Sequence, residues 1–158
     1  MNDLPSRKPN RLSSFHYATD GGYFITVCTQ GHRQILSRIS GTPEDGCHVE
    51  LTELGKLVEQ TILAVPAHYA GAQVDRYVIM PNHIHLLLVI SSAAGRMISA
   101  PTVVGSMKRY VSRKLGKPIW QKGFYDHVIR SEADYLAHLL YIDENPVKWV
   151  MGKDEYYA

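Results

Sequence analysis

His83-Ile84-His85 is the stretch whose residue types and spacing first suggest chemistry. It lies inside Tyr77 to Ile90, where two apolar runs flank Pro81-Asn82, a pattern that reads as two strands joined by a tight connection. Side chains alternate along a strand, so both imidazoles leave one face while Ile84 leaves the other. Two parallel imidazoles on a rigid strand are half of a metal site. The apolar run Leu86 to Ile90 suits a central strand covered on both faces, which would hold the pair from below.

A second candidate group lies near the end of the chain. Ser131 and Asp134 form a capping box, and a helix is expected from Glu132 to about Glu144, ended by Asn145-Pro146. Asp134, His138, Tyr141 and Asn145 recur at intervals of four, three and four, so they form one polar stripe on that helix. A phenol ionises near pH 10 and needs help to become a nucleophile. A divalent ion held by the histidines could neutralise a phosphodiester while Tyr141 attacks it, and Asn145, one turn on, could offer its amide oxygen to the same ion. Tyr125 and Tyr135 compete for the role by proximity. Tyr125 falls on a strand, and Tyr135 sits about 100° around the helix from Asp134.

The third group is basic. Thr102 to Leu115 reads as a helix with Val103, Val104, Met107, Val111 and Leu115 at core spacing. Lys108, Arg109, Arg113 and Lys114 occupy its other surface, and Lys117 and Lys122 follow. That makes six basic residues and no acidic one from Lys108 to Lys122, interleaved with Tyr110 and Trp120. Cations for phosphates and flat rings for unstacked bases are what a nucleic-acid strand requires. Arg130 and Arg7, Lys8 and Arg11 of the N-terminal arm are the next cations in line.

The elements that must position these groups are legible around them. Tyr23 to Thr29 is a strand opened by Gly21-Gly22, Val74 to Met80 is the strand before the Pro-Asn turn, and a further strand ends at Ile129. Thr52 to Ala67 is an amphipathic helix capped by Thr52, with Leu54, Leu57, Val58, Ile62 and Val65 as core. Gln34 to Glu50 reads mostly as loop, with short pairing segments at Ile35-Leu36 and His48 to Leu51, and Ser91 to Pro101 as a linker. His32, His48 and His68 receive no role. At 158 residues, with 45% apolar and 20% charged residues, the chain is large enough for one self-sufficient core. A net charge of +2 argues only weakly for a polyanionic partner, so the distribution of charge matters more. Cys28 and Cys47 form no disulfide framework and are expected to be buried free thiols. No apolar run reaches the length of a membrane span, and the N-terminus lacks a signal-peptide core, which together point to a cytoplasmic protein without membrane contact. The expected division is a basic arm over residues 1–20, one domain over 21–150 and a tail over 151–158.

Pro81-Asn82-His83-Ile84-His85-Leu86-Leu87, Trp120-Gln121, Phe124-Tyr125-Asp126-His127-Val128-Ile129-Arg130 and Tyr141-Ile142-Asp143-Glu144-Asn145-Pro146-Val147-Lys148 closely resemble the single-tyrosine HUH transposases. That group comprises the insertion-sequence-200-like transposases and the REP-associated tyrosine transposases. The resemblance covers most of the chain, from Tyr23 to about Val150. It implies an α+β, ferredoxin-like fold, an antiparallel sheet with helices packed on one face. It also implies cleavage and rejoining of single-stranded DNA near hairpins through a 5′-phosphotyrosine, with a free 3′-OH left for rejoining. His83 and His85 match the ligands of a divalent ion (Mg²⁺ or Mn²⁺), Tyr141 matches the nucleophile, and Asn145 falls where a Gln or Asn ligand is expected. Imidazole ligands suit Mn²⁺ better than Mg²⁺. The resemblance also implies a possible homodimer, in which the tyrosine helix can serve either its own or the partner's metal site. Lys108, Arg109, Arg113, Lys114, Lys117, Trp120, Lys122 and Arg130 are the DNA-binding candidates. Two other readings compete: a domesticated, catalytically silent protein that binds hairpin DNA, and an RNA-binding ferredoxin-like domain, which would leave the histidine pair without a purpose.

Overall fold

The computed structural model describes residues 21–91 and 98–156, so the expected arm over 1–20 and much of the Ser91–Pro101 linker lie outside the described residues. Six strands and four helices follow in the order β1 (Gly21–Cys28), β2 (Ser37–Thr42), β3 (Gly46–Leu51), α1 (Glu53–Leu63), α2 (Val65–His68), β4 (Ala72–Ile79), β5 (His83–Ile90), α3 (Ala100–Leu115), β6 (Tyr125–Ile129) and α4 (Glu132–Val150). A single turn of 3₁₀ helix over Gln30–His32 links β1 to the chain entering β2.

Four strands form one antiparallel sheet in the order β4-β5-β1-β6. With α1 following β1 and α3 following β5, this is the expected α+β, ferredoxin-like arrangement. β5 is hydrogen-bonded along its length to β1 on one side and β4 on the other, which explains why its residues read as an unbroken apolar run. The alternation of side chains then divides the core. Ile25, Val27, Ile84, Leu86 and Leu88 meet α1 and α3 on one face. Phe24, Leu87, Val89 and Ile129 meet Tyr135, Leu139, Ile142 and Trp149 of α4 on the other. The expectation of helices on one face thus describes α1 and α3, while α4 is a third layer that covers the sheet from behind. His83 and His85 share the parity of Leu87 and Val89, so they point toward α4.

Local details follow from the sequence. Thr52 caps α1 by accepting from the Gly55 N–H at 3.0 Å. At Gly55 a Cβ would lie 2.1 Å from the Leu36 carbonyl oxygen, so only glycine lets α1 start this close to the chain entering β2. The expected loop over Gln34–Glu50 is instead a β2–β3 hairpin, in register from Ser37↔Leu51 to Thr42↔Gly46. Its small polar residues hide the strand signal, and Ile39 and Val49 provide its contact with the α4 cluster. α4 also runs past its expected end. Pro146 removes one backbone donor, but Trp149, 8% exposed, anchors the final turns in the core and the helix continues to Val150. Cys28 and Cys47 are free and half-buried rather than fully buried. Among the described residues, no helix is long and apolar enough to cross a membrane.

Candidate metal and nucleophile centre

The β4–β5 connection places the first ligand candidate. Met80 N–H donates to the His83 carbonyl at 2.8 Å, closing the turn over Pro81-Asn82. Inside it, the Asn82 amide nitrogen donates to the Tyr156 carbonyl at 2.9 Å, which turns the amide oxygen toward His83. An amide oxygen only accepts, so His83 Nδ1 carries the proton of the 2.8 Å bond to Asn82 Oδ1. His83 Nε2 is then a lone pair. It faces Asn145 Oδ1 at 3.3 Å, and the Asn145 amide nitrogen is directed to the Tyr141 carbonyl at 3.4 Å. Two acceptors facing each other with no proton between them call for a cation.

His85 repeats the logic. Its Nδ1 is 2.8 Å from Thr26 Oγ1, and its Nε2 is enclosed with no hydrogen-bond partner among the described residues. The two rings lie 4.6 Å apart between centroids. Both side chains are almost fully buried, and that burial lowers both affinities for protons, His83 to about 4 and His85 well below the ordinary value near 6.5. Neutral imidazoles with orphaned nitrogens, beside a buried amide oxygen, are a donor set suited to a divalent transition ion. Their outer nitrogens are held by Asn82 and Thr26, the supporting bonds that such ligands use.

Tyr141 closes the same cavity. Its ring centroid is 5.3 Å from that of His85, and Phe24 meets it edge-on at 5.6 Å. Lys148 lies 4.7 Å from the ring centre. The tyrosine helix therefore packs on the histidines of its own chain. Burial first, then the charges of Glu155 and Asp154, push the Tyr141 phenol up to about 12. Tyr135 is excluded by position: it is fully buried in the core and its hydroxyl donates to Asp75.

The tail over 151–156 folds against this centre. The Tyr156 ring lies 4.5 Å from His83 and 6.0 Å from His85. Glu155 and Tyr156 line a cavity of about 560 Å³ with His85, Tyr141, His127 and His138. A residue group that the sequence stripe showed only in part lies on its wall. Asp134 accepts from His127 Nε2 at 2.9 Å and lies 3.1 Å from His138 Nδ1. His127, Asp134 and His138 offer three ligand atoms close enough for one ion. Their two rings, however, are stacked at 4.7 Å and 24°. An ion in the plane of one ring is out of the plane of the other, and His138 Nδ1 is already hydrogen-bonded to the Asp134 backbone carbonyl at 2.9 Å, so the group suits hydrogen bonding better than a metal.

The basic candidates separate into groups. α3 packs on the sheet face opposite the histidines, so Arg109, Arg113 and Lys114 are exposed there, with Lys117 beyond the helix end. Lys108 is engaged: its ammonium donates to the carbonyls of Gln121 at 3.0 Å and Gly123 at 2.6 Å. Trp120 is half-buried, with its ring packed against the α1–α3 core and its indole nitrogen enclosed. Lys122 borders a second cavity on the histidine side, and Arg130 is exposed at the β6–α4 junction. Sequence reasoning missed Asn82 as an orienting group, and it missed the His127–Asp134 pair and the tail. The helical stripe already contained Asp134 and His138, but nothing local pointed to His127.

No family model matches the chain. An uncharacterised protein of Haemophilus influenzae is 27% identical, covering 90% of this chain and 89% of its own. A REP-associated tyrosine transposase of Escherichia coli is 27% identical over 85% of this chain and 73% of its own length. The solved structure of a REP-associated tyrosine transposase bound to a REP hairpin has the same fold, with a TM-score of 0.63, 24% identity and coverage of 84% of this chain and 70% of that one. The motifs from Pro81 to Lys148, the named relative and the shared fold agree in making this chain similar to the REP-associated tyrosine transposases of the single-tyrosine HUH group.

Proposed function

We propose that this protein cleaves and rejoins single-stranded DNA beside a hairpin, with Tyr141 as the nucleophile. The observation that carries the reading is Tyr141 packed on its own chain's histidine pair, where Nε2 of His85 is orphaned and Nε2 of His83 faces an acceptor. His83, His85 and Asn145 would hold a divalent cation, which supplies positive charge to the oxygens of the scissile phosphate. Tyr141 Oη forms the bond to phosphorus as the P–O3′ bond breaks. The phenolic proton is lost, and the departing 3′ oxygen gains one. The 5′-phosphotyrosine keeps the phosphoester energy, and attack by a 3′-OH reverses the step. The solved relative is bound to a REP hairpin, which supports a hairpin as the DNA partner. The exposed Arg109, Arg113, Lys114 and Lys117 offer its stem phosphates a surface separate from the cutting cavity.

The test is incubation with hairpin-bearing single-stranded DNA and Mn²⁺, followed by a denaturing gel. A covalent protein–DNA band is expected with the natural chain and none with Tyr141→Phe, while both shift the hairpin in a native gel. A Phe variant that still becomes covalently attached sinks the assignment. A second reading, a catalytically silent hairpin-binding protein, draws support from the tail, since Glu155 and Tyr156 lie over the nucleophile and His83. The same gels separate the two: that reading gives a native shift and no covalent band.

A further inference from the structure

Tyr125 opens the edge strand β6, and the strand registers fix where its side chain goes. Thr26 pairs with His85 on one side and with Tyr125 on the other. Directly opposed residues share a face, so Tyr125, Thr26 and His85 form one row across the sheet on the α4 side. Two strand spacings put Tyr125 about 10 Å from His85 along that row. The ring is 60% exposed although it belongs to a large aromatic on the face that carries the chemistry. It stands where two hollows meet. One is the nucleophile cavity of about 560 Å³, and the other, about 310 Å³, is bordered by Lys122, Gln121, Phe124 and His32.

The second hollow suits a base and its phosphate, while Glu155 stands on the wall of the first. Period-two alternation sends Asp126 to the opposite face, where it is paired with Ile25, so the adjacent carboxylate does not face this row. Lys122 brings a cation to the second hollow. The Gln121–Gly123 loop that carries it is held from below by the two carbonyl bonds of Lys108. An exposed ring on a sheet face, next to a cation and in line with a phosphate site, is how unstacked bases are held on single strands.

We infer that Tyr125 is a stacking platform for an unpaired base next to the scissile phosphate, with Lys122 serving the phosphate beyond it. This rests on the DNA-cleaving reading above. It assigns the ring contact to Tyr125, which is 60% exposed on the histidine face, whereas Trp120 is half-buried against the α1–α3 core.

The experiment uses the full chain with a hairpin that carries a single-stranded flank, with each flank nucleotide replaced in turn by an abasic one. Binding is measured by fluorescence anisotropy in Tyr125→Ala and Tyr125→Phe, with thermal melts as folding controls and the covalent band read in parallel. Tyr125→Ala should weaken flank binding about tenfold, within the range of a single base stack. Tyr125→Phe should match the natural chain, and a hairpin without a flank should bind all three alike. One abasic position should remove the difference between the natural chain and Tyr125→Ala. Equal flank affinity for the two, or a loss that no abasic position removes, overturns the inference. A Phe variant as weak as the Ala variant also overturns it, because the hydroxyl would then be the contact. A covalent band that persists while the stacking cycle fails leaves the cleavage reading standing. Absence of the band in the natural chain sinks that reading, and the cycle still decides the stacking.

Discussion

The two faces of the central sheet are built from the same strands and do opposite things. On the α1–α3 side, Ile25, Val27, Ile84, Leu86 and Leu88 meet aliphatic side chains. On the α4 side, the same strands contribute Thr26, His83 and His85 to a buried polar cluster completed by Asn145. Ile84 and His83 are neighbours in sequence and are separated by the thickness of the sheet. Burying neutral histidines costs stability, because burial opposes their charged forms and leaves a nitrogen unsatisfied. The aliphatic face supplies the stability that lets the other face carry that cost, and substitutions on the two faces should fail in different ways.

The sharpest break comes from Leu86→Ala, at a fully buried position on the aliphatic face. It should lower unfolding stability by about 2–5 kcal/mol, read by urea denaturation. Below the new melting temperature the Mn²⁺-dependent covalent band should persist. If the band vanishes while the fold remains, the faces are not separable in this way.

His83→Asn with His85→Asn should do the reverse, abolishing Mn²⁺ binding by calorimetry with the fold retained. The pair also has a pH signature. Both histidines have folded affinities for protons below the ordinary value near 6.5, His83 at about 4. Below 6.5 the unfolded chain takes up protons that the folded chain refuses. Metal-free stability should therefore be full above pH 6.5, fall as the pH drops and level off only below about 4. The double Asn variant should show a shallower acid limb in melts across that window, and an unchanged limb would place the titration elsewhere.

Asn82→Ala tests the supporting bond. It removes the acceptor that fixes the His83 tautomer, so Mn²⁺ affinity should drop about 10–100-fold with only modest loss of stability. A variant that binds Mn²⁺ normally would mean that the tautomer is fixed by other means. The smallest effect is expected from Arg109→Gln, Arg113→Gln and Lys114→Gln together, on the far side of the sheet. Hairpin affinity should fall and the slope of log affinity against log salt should flatten by about 0.9 per lost phosphate contact. An unchanged slope moves the stem to another surface.

Much of this division could be read from the sequence, because alternation is a local property. His83, His85 and Ile84 declare their faces by parity, and the Asp134–His138–Tyr141–Asn145 spacing declares one side of a helix. Which face α4 covers is not local, and neither is the placement of α3 behind the sheet. The basic residues of α3 follow the histidine strand in sequence, yet lie across the sheet from the histidines. The hydrogen bond between Asn82 and Tyr156 spans 74 residues, and no spacing rule reaches that far. Trp120 shows the same limit: an aromatic between lysines reads as a stacking residue, and only the fold shows its ring packed against the α1–α3 core.

The double pairing of β5 has a consequence for how the site is lost. A strand bonded on both sides over its length releases its amides to solvent only when the sheet itself opens. Hydrogen exchange from His83 to Ile90 should thus be among the slowest in the molecule, while α4, docked by side chains alone, sets its own rate. The two candidate ligands on the strand, His83 and His85, are kept in register for as long as the protein is folded. Tyr141, the proposed nucleophile, rides on a separate element and is the part whose distance to them is adjustable.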